Sequence, residues 1–281
     1  MGIINKILPI SLKPVSRDIG FSFRTLIYRF KSINKRINPN PIFILGNQKS
    51  GTSAIASILG AFSGKITAID LFFSGFHSSL FTNWKCKKIS TKDFINKNKV
   101  EFSAEIIKEP HLSIFFDELK TEYPQSRFVL IIRNPFDNIR SILDRLDVEG
   151  NKTLLNEKDK KKFFHSWKLL LDNEWIGGSK NHYIEVLAER WNTICNVYLE
   201  NKENIILVKY EDFTKNKVKV INELAEKLNL TVSRDVEKIL DYQFQPKGKN
   251  RNTDPEKFFG KENYNKIIKI CSSELRQLGY H

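Results

Sequence analysis

The chain has 281 residues, 41% of them hydrophobic and 12% aromatic, with a formal net charge of +14. That length and apolar share support a buried core and exclude a disordered chain, while the charge restricts partners to anions: a phosphorylated cofactor, nucleic acid, anionic lipid or acidic glycan. Three scattered cysteines (Cys86, Cys195 and Cys271) share no metal-ligand spacing with the five histidines, which argues against a disulfide framework or a metal site and suits a reducing, cytoplasmic compartment.

The first element is a basic amphipathic segment over residues 1–40, with residues 41–281 expected to form the folded domain. The segment holds eight Lys/Arg (Lys6, Lys13, Arg17, Arg24, Arg29, Lys31, Lys35 and Arg36) against the single acid Asp18, a net of +7. Between these charges Phe23, Leu26, Ile27, Phe30 and Ile33 follow helical spacing. The pattern fits a helix lying on the anionic inner face of a membrane, or else a basic helix packed on the domain or a loose arm. No apolar run is long enough to span a bilayer, and no secretory block with a cleavage site opens the chain.

Pro39 and Pro41 break the preceding helix. Directly after them Ile42-Phe43-Ile44-Leu45 is a continuous apolar run ending at Gly46, the signature of a strand buried on both faces of a parallel sheet. From Thr52 the spacing of Ile55, Ile58, Leu59 and Phe62 predicts a helix that closes near Gly64. Phe128 to Ile132 repeats the pattern, with Asn134 as N-cap and Pro135 at the first helical position; Ile139, Ile142, Leu143 and Leu146 form that helix's apolar face. Helical stretches are expected near 112–120, 160–175 and 183–200. A third strand at Ile205 to Val208 precedes a helix over 218–228. Strands alternating with helices predict an α/β, three-layer sandwich on a mostly parallel sheet, with P-loop NTPase-like topology. Right-handed crossovers would gather the loops after all three strands on one edge.

The first of those loops reads Gly46-Asn47-Gln48-Lys49-Ser50-Gly51-Thr52-Ser53. Two glycines separated by four residues match the front of a Walker-type phosphate loop, whose backbone N–H groups and following helix N-terminus hold phosphate oxygens. Kinases and nucleotidases place the lysine immediately after the second glycine. Here Thr52 and Ser53 stand in that region and the lysine has moved inside the loop. The strands ending at Ile132 and Val208 also lack a terminal acid to hold Mg²⁺; the first delivers Arg133. Lys49 is therefore suited to the bridging oxygen of a leaving phosphate, with no metal required.

With these features the chain resembles the PAPS-dependent sulfotransferases, PAPS being 3′-phosphoadenosine 5′-phosphosulfate. The segment Phe43 to Ser53 is similar to their 5′-phosphosulfate loop, which implies cofactor contacts from Gln48, Lys49, Ser50, Gly51, Thr52 and Ser53. Arg127 to Ser141 resembles their 3′-phosphate motif, implying that role for Arg133 and Ser141. Val208 to Phe213 resembles the segment whose tyrosine approaches adenine, here Tyr210. Gln245 to Lys249 is similar to a reduced form of the basic glycine loop over the cofactor, which adds Lys247 and Gly248. The resemblance implies transfer of a sulfuryl group from PAPS to an acceptor hydroxyl or amine.

On the acceptor side, Lys108 matches a strand-end lysine of the family and is expected to be a second catalytic cation. Transfer also needs a base. His111 and Glu109 are rivals for that role, with Asp70 and His77 behind them. The aromatic and basic segments 65–105 and 145–185 suit a carbohydrate, glycolipid or other lipid-linked acceptor, although most of those aromatics also fit a core. A P-loop kinase or nucleotidase is the alternative that the displaced Lys49 disfavours. A nucleic-acid-binding protein, suggested by the charge, is disfavoured because the basic residues are interleaved with acids and no recognition motif is present.

Overall fold

The computed structural model describes residue 25 and residues 27–233, 240 and 248–280. Most of the basic segment (including Phe23 and Leu26) and Lys247 lie outside the described residues. Five strands form one sheet: β1 (Ile42–Gly46), β2 (Thr67–Ile69), β3 (Ile106–Lys108), β4 (Arg127–Ile132) and β5 (Ile205–Lys209). Their order is β2-β3-β1-β4-β5 and every neighbouring pair is parallel. β1 sits at the centre. Its two neighbours lead to opposite halves of the sheet, so its carboxyl end opens into the crevice where ligands of such sheets bind.

The central strands alternate between two cores, as period-two geometry requires. Phe43, Leu45, Ile107, Phe128, Leu130 and Ile132 face one side. Ile42, Ile44, Ile106, Val129 and Ile131 face the other. The helices that cover them are α1 (Thr52–Ser63), α2 (Phe72–Phe76), α3 (Ser79–Lys85), α4 (Thr91–Lys97), α5 (Phe116–Glu122), α6 (Pro135–Leu146), α7 (Glu157–Lys162), α8 (Tyr183–Glu200), α9 (Tyr210–Lys215), α10 (Lys217–Lys227) and α11 (Pro255–Gln277). The three-layer α/β arrangement agrees with the sequence reading. So does the start of α6, where Asn134 Oδ1 accepts the Phe136 N–H at 3.0 Å and Pro135 is the first helical residue. Among the described residues no helix is long and apolar enough to cross a membrane.

Three local expectations differ. β2 is only three half-buried residues, too short to show a period, and the sequence reading misses it. The helix expected over 160–175 is instead α7 followed by 3₁₀ turns at His165–Leu170 and Glu174–Ile176. Extended Phe163, left-handed His165 and left-handed Gly177 interrupt the α-helical hydrogen bonding there. The helix expected at 112–120 starts as a 3₁₀ turn, Pro110–Phe115, and becomes α-helical only at Phe116.

Of the aromatic residues expected to wall an acceptor pocket, Phe72, Phe81, Trp84 and Phe163 are buried core. Trp84 stacks on Phe115 at 3.9 Å and on Phe94 at 4.1 Å. Phe164 is 45% exposed, and Phe73, Phe76, Trp167 and Trp175 are half-buried. Phe43 is fully buried and stacks on Phe128 at 5.2 Å across β1 and β4. Phe43→Ala removes this packing from the centre of the sheet and is expected to cost about 3–5 kcal/mol, read as a lower urea midpoint at unchanged slope.

Candidate active site at the carboxyl edge of the sheet

Gly46 ends β1 against the neighbouring strand, where a Cβ would lie 2.4 Å from the Ile131 carbonyl oxygen. The loop that follows is held from two sides. Ser113 Oγ accepts the Gly46 N–H at 2.8 Å. Asn138, wholly buried on α6, donates through Nδ2 to Gln48 O at 2.8 Å and Ser50 Oγ at 3.1 Å, and accepts from Asn47 Nδ2 at 2.9 Å. Within this frame Lys49 (φ 66°) and Gly51 (φ 91°) are both left-handed. Left-handed residues alternating with right-handed ones turn successive N–H groups toward one point. No side chain caps α1 behind them, so its first N–H groups remain for an anion.

Gly51 is required for a second reason. A Cβ there would meet the Tyr210 ring at 2.2 Å. Tyr210 in turn carries the Arg133 guanidinium over its face at 4.8 Å. Arg133 donates to the Lys49 carbonyl at 3.1 Å, and its own carbonyl accepts from Trp191 Nε1 at 2.8 Å. Glu211 locks the corner, accepting the Asn134 N–H and the Tyr280 hydroxyl, each at 2.8 Å. Ser141 lies three residues beyond Asn138 on α6, and Gly248 packs on Asp144 of the same helix. Asn250 donates its amide groups to Asp144, which fixes the segment after Gly248 there.

The electrostatics are those of an anion site. Burial pulls the Lys49 ammonium down to about 8, and Arg145, Arg133 and Lys108 add repulsion; Asp144 opposes them weakly. Lys108 ends β3, its ammonium buried, 2.5 Å from Asp70 Oδ1. Asp70 follows β2 in a left-handed conformation, and its carboxylate side chain is 57% exposed. Glu109 is buried behind this pair. Its carboxylate accepts the His111 N–H at 3.0 Å and the Leu71 N–H at 3.2 Å. Burial, then the Asp70 carboxylate, pushes Glu109 up to about 7, against the pull of Lys108.

His111 is also buried, with Phe81 against its ring at 4.7 Å. Its Nδ1 lies 3.0 Å from Arg190 Nη2, and its Nε2 3.0 Å from the Gln48 amide. A guanidinium can only donate, so Nδ1 accepts and Nε2 carries the proton. The ring also hydrogen-bonds to the Ser166 backbone, while Gln48 Oε1 is buried without a partner among the described residues. Burial, Arg190 and Lys108 all hold the imidazole well below its usual range. With both ring nitrogens engaged, His111 is a support for the phosphate-type loop; it offers no lone pair to an acceptor. His77 lies on the exposed surface just beyond α2.

The structure thus gathers Gln48 to Ser53, Arg133 and Tyr210 around one loop, with Lys108 near enough to act on Lys49. Asn138 and Arg190 are supports that the sequence reading missed. A signal existed for Arg190: it falls on the apolar stripe of α8 between Leu187 and Ile194, all three buried.

A family model described as a sulfotransferase domain matches residues 39–273. The sulfotransferase STF9 from Mycobacterium avium superposes with a TM-score of 0.55 at 10% identity, covering 92% of this chain and 81% of that one. The sulfotransferase STF1 from Mycobacterium tuberculosis H37Rv gives a TM-score of 0.50 at 11% identity, with 89% and 81% covered. At these identities the likeness to solved structures is one of fold. No curated protein matches the chain in sequence.

The hydrogen bonds of His111 predict a spectroscopic outcome. Two-bond ¹⁵N–¹H correlations should show a neutral ring protonated at Nε2 that stays so as pH falls through 6.5, the ordinary histidine value. A ring that takes up a proton near 6.5 would refute the assignment.

Proposed function

The chain belongs to the sulfotransferase domain family, and on that footing we propose that it transfers the sulfuryl group of PAPS to a hydroxyl or amine of a carbohydrate or lipid-linked acceptor. The observation that carries this reading is the crowding of Lys49, Arg133, Arg145 and Lys108 about a loop built to hold phosphate. Their mutual repulsion is relieved by an anion of high charge density, and PAPS is one.

The residues present fit that donor. The N–H groups of Lys49 and of Gly51 to Ser53, with the hydroxyls of Ser50, Thr52 and Ser53, suit the 5′-phosphosulfate. Arg133 and Ser141 suit the 3′-phosphate. The Tyr210 ring, fixed against Gly51, suits the adenine. PAPS, when bound, supplies an activated sulfuryl group with a phosphate as its leaving group. Lys49 and Lys108 stabilise the charge that develops on the bridging oxygen as its S–O bond breaks. In this reading Lys49 and Lys108 supply at the phosphosulfate the positive charge that Mg²⁺ supplies for nucleoside triphosphates.

As the acceptor forms its new S–O or S–N bond, its proton must pass to a base within reach. Glu109 is buried with its carboxylate held by two backbone N–H groups, and His111 has no nitrogen to spare. Asp70 is the exposed carboxylate of the cluster and lies beside Lys108. In this reading Asp70 takes the proton, while Glu109 fixes the Asp70-Leu71 corner and the position of His111.

Lys49→Ala should lower turnover by about 10²-fold or more, the scale of losing one preorganised charge. Wild-type protein should bind 3′-phosphoadenosine 5′-phosphate in EDTA by calorimetry, and more tightly than ATP with Mg²⁺. A preference for Mg-ATP would instead favour a kinase. Asp70→Asn should cost about 10²–10⁴-fold in turnover, the range for a general base, whereas Glu109→Gln should mainly raise KM; the reverse ranking would move the base to Glu109. Finally, kcat/KM should fall as pH rises through about 8, because the free enzyme's Lys49 loses its proton there.

A further inference from the structure

Residues 27–33 form a helix on the outside of the domain. One side chain seats it. Tyr28 is 7% exposed, stacks on Phe72 at 5.1 Å and meets Phe73 edge-on at 4.7 Å. Its hydroxyl donates to Glu101 Oε2 at 2.6 Å, in a pocket where burial pushes the Glu101 carboxyl up to about 7. The other oxygen of Glu101 accepts the Phe72 N–H at 3.3 Å. The same carboxyl therefore ties the helix to the start of α2. Downstream, Asn38 hydrogen-bonds to Phe102 O and Ala104 O and anchors the exit.

Among the described residues the opposite side of the helix has no such cover. Ile27, Phe30 and Ile33 are 39%, 66% and 67% exposed. At about 100° per residue, these three span one arc roughly opposite Tyr28. Arg29 falls on one flank of that arc and Lys31 on the other, both exposed. An apolar strip bordered on both sides by long cationic side chains is the cross-section of a helix lying in a lipid interface, where the stems snorkel and the heads meet phosphates.

We propose that this face docks on an anionic lipid surface, with Ile27, Phe30 and Ile33 entering the headgroup–acyl boundary. Charge complementarity selects the occupant: residues 1–40 carry eight basic side chains and one acid. Area argues in the same direction. Three side chains make too small a patch for a stable protein interface, which buries about 800 Å² per partner, but a strip this narrow fits a boundary entered to a depth of about 5–10 Å. The Tyr28–Glu101–Phe72 connection ends two residues from Asp70, so the helix that carries the docked face is tied to the proposed acceptor end of the site. The docking itself does not depend on the transfer chemistry.

The test is co-sedimentation of the full chain with vesicles of phosphatidylcholine alone or mixed with phosphatidylglycerol. Binding is expected only to the mixed vesicles, weakening as salt is raised. The triple variant Ile27→Ser, Phe30→Ser, Ile33→Ser should bind about tenfold more weakly or worse, with unchanged circular dichroism. Phe30→Trp should show a blue-shifted emission on adding mixed vesicles. No binding to mixed vesicles, equal binding to neutral ones, or full binding by the triple variant overturns the proposal. Light scattering closes the remaining route: a wild-type dimer that the triple variant converts to monomer would make a second copy the occupant and overturn it as well.

Discussion

Four cations that repel one another are held around one loop, and the rest of the site follows from what that requires. Lys49 is pulled down to about 8 by burial and by Arg145, Arg133 and Lys108. Such a cluster is costly in an empty protein and becomes favourable when a dense anion enters. The scaffold bears the cost through backbone geometry: Lys49 and Gly51 are left-handed, the start of α1 is uncapped, and the Tyr210 ring occupies the space above Gly51. Each of these features orients donors before any ligand arrives.

Holding such a loop still takes buried polar contacts, and these come from distant parts of the chain. Asn138 reaches the loop from α6 and Ser113 from the turn after β3. Arg190 on α8 acts through His111 on Gln48. Arg190 has two guanidinium nitrogens without hydrogen-bond partners and lies 6.0 Å over Trp175. A buried, incompletely satisfied charge lowers stability, so its place at the root of the site is best understood as a positioning role. The same logic separates the acids: Glu109, buried and raised, fixes geometry, and Asp70 remains exposed beside Lys108.

Much of the fold was legible because doubly buried strands are continuous apolar runs. β1 and β4 are such runs, and β5 is an apolar run at the sheet edge that is only partly buried; each is followed by a helix, and their loops fall on one edge. The phosphate-type loop was legible from spacing alone, as was the displaced lysine inside it. β2 was not, since three half-buried residues carry no period. The 160–175 region misled because apolar spacing continues across it, while the left-handed backbone at His165 breaks the helix. The aromatics of 65–105 were ambiguous for a physical reason: packing and ligand stacking select the same side chains.

Composition and spacing therefore determined the α/β class and singled out the loop around Lys49 as the candidate anion site, because these depend on local periodicity and on residues adjacent in sequence. The proposed division of roles between base and support rests on what only three dimensions supply. His111 was a free histidine in the sequence and became a doubly bonded support once α8 brought Arg190 to its Nδ1. Glu109 and Asp70 are equivalent carboxylates in the chain. They were told apart by burial and by the register that sets Ile69 opposite Lys108, since a carboxylate's reach and proton affinity come from neighbours that only folding supplies.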